Sequence, residues 1–208
     1  MLVAQTHPMR LRYFVLAMLA ALFVWHYADE WPAPTPGDLA PDPPVQTALS
    51  SGEVPPWTYH EFKITPLARY SLQARILHRE PYWFDYEASL SPLDFALGWG
   101  SMSDPVVYQK LHIGQGSRWY TWFWMGSPPI DEGQISLLSA NTHLIPANPD
   151  IRNRLSDFRA GDIVQLSGYL VQVNGPNGWH WISSLSRSDT GDGSCELMWV
   201  KEAAKVGR

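Results

Sequence analysis

The first hydrophobic block is continuous rather than periodic. Leu11–Tyr27 holds 17 positions, with Arg12 and His26 polar near its ends. A helix over this stretch is apolar all round, which suits lipid better than one side of a globular core. The pattern then changes to alternation. Ala68, Tyr70, Leu72, Ala74 and Ile76 interleave with Arg69, Ser71, Gln73 and Arg75, the period of a half-buried strand with its polar residues in water. SPLDFALGWG predicts a short helix, with Ser91 as N-cap, Pro92 in its first turn, and Gly98 and Gly100 as its stop. Asp104-Pro105 repeats the device ahead of PVVYQKLHI. Ser117–Met125 predicts a strand with aromatic residues on both faces.

Further on, Ile151, Leu155 and Phe158 stand at i, i+4 and i+7, so NPDIRNRLSDF predicts an amphipathic helix. Asp162–Val173 predicts a strand, Asn174–Gly178 is dense in turn formers, and Trp179, Trp181 and Ile182 begin the return strand of a hairpin. CELMWVKE supplies a last strand. Strands outnumber helices, and the helices are short. The expected fold class is α+β, dominated by β: a small OB-like or SH3-like barrel with short helices, preceded by one transmembrane helix.

Charge and proline divide the chain. Arg10 and Arg12 precede the apolar block, and Asp29 and Glu30 follow it. The positive-inside rule therefore places the N-terminus in the cytoplasm and the rest of the chain outside. Cleavage as a signal peptide fits poorly, because a cut after Ala28 puts His26 at −3. The expected anchor is residues 1–28, with residues 11–27 in the inner membrane. Residues 29–56 contain eight prolines, five acids and no Lys or Arg, the composition of an extended, solvated spacer. A single extracytoplasmic (periplasmic) domain is expected over 57–203, followed by a tail at 204–208. The chain's net charge of −5 comes mostly from the spacer, so the domain shows no basic footprint for nucleic acid. With one Cys, an intrachain disulfide is excluded.

The segments DFALGWGSMSDP, SANTHLIPAN, AGDIVQLSGYLV and SSLSRSDTGDGSCE together resemble a family of uncharacterised bacterial proteins. The resemblance spans roughly Phe62 to Val200. It implies an N-terminal membrane segment followed by one domain, and it brings no catalytic residue with it.

The candidate chemistry is scattered. Asp189-Thr190-Gly191 matches the aspartic-protease triplet, but one copy cannot supply the two carboxylates that share a proton. A turn formed by DTGDGS is the simpler reading, with Asp189 or Asp192 pairing with Arg187 or capping loop amides. Asp189, Asp192 and Glu196 break the spacing of an EF-hand calcium loop. His112, His143 and His180 lack zinc-site spacing, so no metal and no cofactor is expected. His143 sits in the most site-like stretch, read as a loop. Cys195, opening an apolar strand, reads as a small buried hydrophobe before it reads as a nucleophile paired with His143. In Arg118–Trp124, Trp119, Thr121 and Phe123 face one side, and Tyr120, Trp122 and Trp124 the other. Either the PVVYQKLHI segment covers one face, or that face meets a ligand or partner. The ligand- or partner-binding candidates are Arg118, Tyr120, Trp122, Trp124, His143 and Arg187.

The expected function is a membrane-tethered, non-catalytic binding or assembly module for an envelope protein or glycan. One alternative is an envelope hydrolase or transferase using His143, Asp189 and Cys195, with Arg187 beside them. The other is an oligonucleotide-binding barrel.

Overall fold

The computed structural model describes residues 8–28, 40–189, 191 and 193–206. The chain divides into two units, Met1–Trp31 and Pro32–Arg208. In the first, helix α1 covers Pro8–Ala28, and its described side chains, 12–22, are exposed. Among the described residues no helix is long and apolar enough to cross a membrane. The acids Asp29 and Glu30, expected to flank the anchor, lie outside the described residues, as do the side chains of Arg10, Trp25 and Tyr27.

The second unit is β-dominated. In chain order its elements are β1 (Val45–Ala48), β2 (Trp57–Tyr59), β3 (Phe62–Pro81), β4 (Leu93–Gly98), α2 (Pro105–Tyr108), β5 (Leu111–Gly116), β6 (Trp119–Trp124), α3 (Glu132–Leu137), β7 (Ser139–Pro146), α4 (Pro149–Asp157), β8 (Ile163–Asn174), β9 (His180–Ile182) and β10 (Glu196–Val206).

The long strand β3 organises the sheet. Its first two thirds pair antiparallel with β8, and its last third pairs with β4. β4 continues to β7, β7 runs parallel to β10, and β10 returns antiparallel to β8. The pairings β3–β4–β7–β10–β8 thus lead back to β3. Leu72, Ile76, Phe95, Leu144, Leu166 and Met198, from these five strands, share one apolar cluster, and α4 adds Ile151 and Leu155 to it. Asn148 caps α4 by accepting from the Ile151 amide at 3.0 Å, and Pro149 occupies its first turn. At Gly168 the β8 and β10 backbones come so close that a Cβ would collide with the Trp199 carbonyl. β5 and β6 form a separate hairpin, packed through Leu111, Trp122 and Trp124 onto Ala96 and Met102.

Several expectations change. The segment after Ser91-Pro92 is β4, not a helix. Its residues are all buried between β3 and β7, and pairing on both edges outweighs the local cap signal. Asp104 does cap a helix, accepting from the Val106 amide, but α2 ends at Tyr108 and Leu111–Ile113 enter β5. Residues 41–56 have mostly exposed side chains, but part of the segment is held to the sheet. Ala40 is fully buried, and β1 pairs with Ala68–Ser71 of β3. The expected tail belongs largely to β10, whose Val206 pairs with Ile163. Arg75 does not face water. It is fully buried and donates to the Ser103 and Gly161 carbonyls, both at 2.6 Å.

Candidate functional site: a buried Asp–His pair facing Cys195

β4 and β7 place Asp94 and His143 directly opposite each other in the ladder. Both are buried, Asp94 completely. His143 Nδ1 lies 2.8 Å from Asp94 Oδ2 and donates to it, which leaves Nε2 as the ring's other polar atom. Cys195, just ahead of β10, is half-buried and lines the same cavity as the His143 ring. The Asn141 amide, two residues before His143 on the same face of β7, donates to the Arg118 carbonyl at 3.0 Å and to Cys195 Sγ at 3.6 Å. The His143 ring also packs on Trp181 of β9, with centroids 4.6 Å apart.

Asp94 has a second partner. Arg118 Nη1 donates to Asp94 Oδ1 at 2.9 Å and to the Ser91 carbonyl at 2.9 Å, while Nε and Nη2 hold Asp85 at 3.1 and 2.8 Å. The guanidinium lies over the Tyr82 ring at 3.6 Å, a cation–π contact. Arg118 reaches this position from the two-residue turn of the β5–β6 hairpin. Ser117 and Arg118 have φ of 49° and 68°, both left-handed, where a turn of this kind prefers Asn-Gly. The backbone carries that strain while the side chain balances a buried carboxylate.

Two opposing effects set the state of His143. Burial disfavours the charged ring and is the largest single influence. The Asp94 carboxylate, by charge and hydrogen bond, and then Cys195 outweigh it together. The result is a pKa raised from 6.5 to about 9, so the ring holds its proton at neutral pH. Burial and the nearby Asp94 charge likewise push the Tyr82 hydroxyl well above its ordinary range.

Two cavities meet at Cys195. One, of about 260 Å³, is lined by His143, Arg118, Trp179, Trp181 and Ile182. The other, of about 370 Å³, is lined by Asn141, Ser139, Tyr120, Arg187, Asp189 and Glu196. Trp119, Gly191 and Cys195 border both.

The structure therefore brings together His143, Cys195 and Arg118 from the predicted set, and sets Arg187 and Asp189 across the thiol from them. His143 is in a strand, not a loop, and Cys195 borders two cavities rather than filling a core. Asp189 accepts from the Ser184 hydroxyl at 2.5 Å. Arg187 pairs with the fully buried Glu196, and no ion pair joins it to Asp189 among the described residues. Thr190 and Asp192 lie outside the described residues. Tyr120, Trp122 and Trp124 are half-buried and pack with the α2–β5 segment's Tyr108 and Leu111, Tyr120 and Trp122 also line the second cavity, and Trp119 and Phe123 are exposed. His112 stacks on Phe123, and His180 lines the first cavity. No group of three or more metal-ligating side chains converges among the described residues.

Sequence reasoning missed Asp94, Asn141 and Glu196 as site residues. The available signal was a lone acid inside the apolar run LDFALG, which a strand reading would have turned toward His143. Compared with protein-family models, with curated proteins and with solved structures, the chain gives no match.

Proposed function

We propose that this chain is an envelope enzyme of the thiol acyl-hydrolase or acyl-transferase class, with Cys195 as nucleophile, His143 as proton carrier and Asp94 as the carboxylate that orients it. The observation that carries this reading is His143, fixed at Nδ1 by a buried carboxylate and facing the only cysteine of the chain where two cavities open. A nucleophile, a base and a third group that orients the base make up the arrangement of covalent acyl transfer. A surface used only for binding has no need of a buried carboxylate on the far side of a histidine, so we prefer this reading to a non-catalytic module.

In the reaction, Cys195 Sγ bonds to the acyl carbon and the bond to the leaving oxygen or nitrogen breaks. That leaving atom takes the proton held on His143. Water, or a second acceptor, then cleaves the thioester and returns a proton to the ring. Arg118 takes no part in bond making; it keeps Asp94 charged and in place.

The scaffold is proposed to be an OB-like barrel. Five strands pair in the order β3–β4–β7–β10–β8 and back to β3, and α4 lies between β7 and β8, the third and fourth of them in chain order. The tether is proposed to be Leu11–Tyr27, an apolar stretch at the short end of spanning length, with the domain on the outer side of the inner membrane.

The test is an ester that needs no specific recognition. Full-length protein in detergent is mixed with p-nitrophenyl acetate, and the digest is weighed by mass spectrometry. One acetyl group is expected on the Cys195 peptide, absent in Cys195→Ala and formed about 100-fold more slowly in His143→Gln. Acetylation of lysines alone, identical in the wild type and Cys195→Ala, removes the proposal.

A further inference from the structure

We infer that the substrate is a neutral sugar ester, with the acyl group in the cavity beside His143 and the sugar ring in the cavity on the other side of Cys195. This inference rests on the reading of Cys195 as the nucleophile and adds the class of molecule it attacks.

The two cavities share a rim and differ in what they offer. The His143 side has an apolar wall of Trp179, Trp181 and Ile182 that suits a short acyl group, with Glu87, Arg118 and His180 also on its lining. The far side combines the hydrogen-bonding groups of Asn141, Ser139, Arg187, Asp189 and Glu196 with the aromatic Tyr120 and Trp122. The fully buried Glu196 is met by Arg187, and Asp189 by the Ser184 hydroxyl. The floor is thus polar: Glu196 and Arg187 form an ion pair, while the Glu196 oxygens and Arg187 Nε have no hydrogen-bond partner among the described residues. An anionic leaving group would meet two carboxylates there, against one cation that is already paired. An apolar one would strip water from Asn141, Glu196 and Arg187 and give nothing back. A ring carrying several hydroxyls, each both donor and acceptor, satisfies such a floor. Trp119 stands at the shared rim and is 46% exposed, available to cover the C–H face of a sugar.

The chemistry closes on this placement. Sγ bonds to the acyl carbon, the bond from that carbon to the sugar oxygen breaks, and the sugar oxygen leaves with the His143 proton. Water then cleaves the thioester, giving its hydroxyl to the acyl carbon and its other proton to His143, which releases the carboxylic acid and restores the thiolate beside the protonated ring.

The experiment compares two acetates of similar shape on the full chain in detergent, measuring acetate release. Methyl glucoside 6-acetate carries the ring hydroxyls, and cyclohexylmethyl acetate lacks them. The sugar ester is expected to react with a kcat/KM about 100-fold higher or more, because a site built to bond hydroxyls rejects the analogue without them. Trp119→Ala, a change at a half-exposed position, is expected to raise KM for the sugar ester about tenfold. Equal kcat/KM for the two esters, with Cys195 still acetylated by p-nitrophenyl acetate, overturns the sugar inference and leaves the thiol mechanism standing. Preference for a charged amide or ester over both also overturns it. If Cys195 is never acetylated, the inference falls together with the mechanism beneath it.

Discussion

Two buried ion groups flank Cys195, and they are built differently. On one side Asp94 is shared between Arg118 and His143, at 2.9 and 2.8 Å. On the other, Glu196 has Arg187. Each keeps a fully buried carboxylate charged by surrounding it with cations. One of Asp94's partners can lose its proton as pH rises through about 9, whereas a guanidinium cannot. The first cluster can therefore move a proton and the second can only hold a shape. That contrast assigns chemistry to one side of the thiol and recognition to the other.

The largest test removes either carboxylate. Asp94→Ala leaves the buried His143 ring without its carboxylate, and urea unfolding is expected to show a loss of about 3–5 kcal/mol at pH 6; Glu196→Ala, whose partner Arg187 is only half-buried, is expected to lose less. At pH 10 the Asp94→Ala loss should shrink as His143 becomes neutral, while the Glu196→Ala loss stays the same. Equal pH behaviour of the two variants would erase the distinction.

Next in size is the pH dependence of the wild type. The folded pKa of His143 is raised to about 9 from the ordinary 6.5. The stability it contributes is complete below pH 6.5 and disappears as pH rises through 9. The shift corresponds to roughly 3 kcal/mol between these limits. The same titration of His143→Gln, which keeps a donor for Asp94, should lack that decline.

A smaller effect is expected at Arg118. Arg118→Lys keeps the charge but cannot bond Asp94, Asp85 and the Ser91 carbonyl at once, and should cost about 1–2 kcal/mol. Smallest is Glu53→Gln, which opens an exposed pair with Arg69; no measurable shift of the urea midpoint is expected.

Much of the fold was legible because it is written in local periods. The alternation of Ala68–Ile76, the Asn148-Pro149 start of α4, and the Asn174–Gly178 turn between β8 and β9 each specify an element without help from the rest of the chain. β4 was not legible, because Ser91-Pro92 carries a helix-start signal that two neighbouring strands override. The site suffered for the same reason. Asp94, His143 and Cys195 are far apart in sequence, and only the β4–β7–β10 pairing order brings them to one place. Arg75 shows the converse, a charged residue in a polar register that finds backbone acceptors in the interior.

The left-handed dipeptide Ser117-Arg118 has a practical consequence. Anyone screening variants for heat resistance will be drawn to Asn-Gly there, since it relaxes the turn. The same exchange deletes the guanidinium that neutralises Asp94. Relaxing the turn therefore gains less than an unpaired buried carboxylate costs, and a thermal screen should reject the exchange as firmly as an activity screen does.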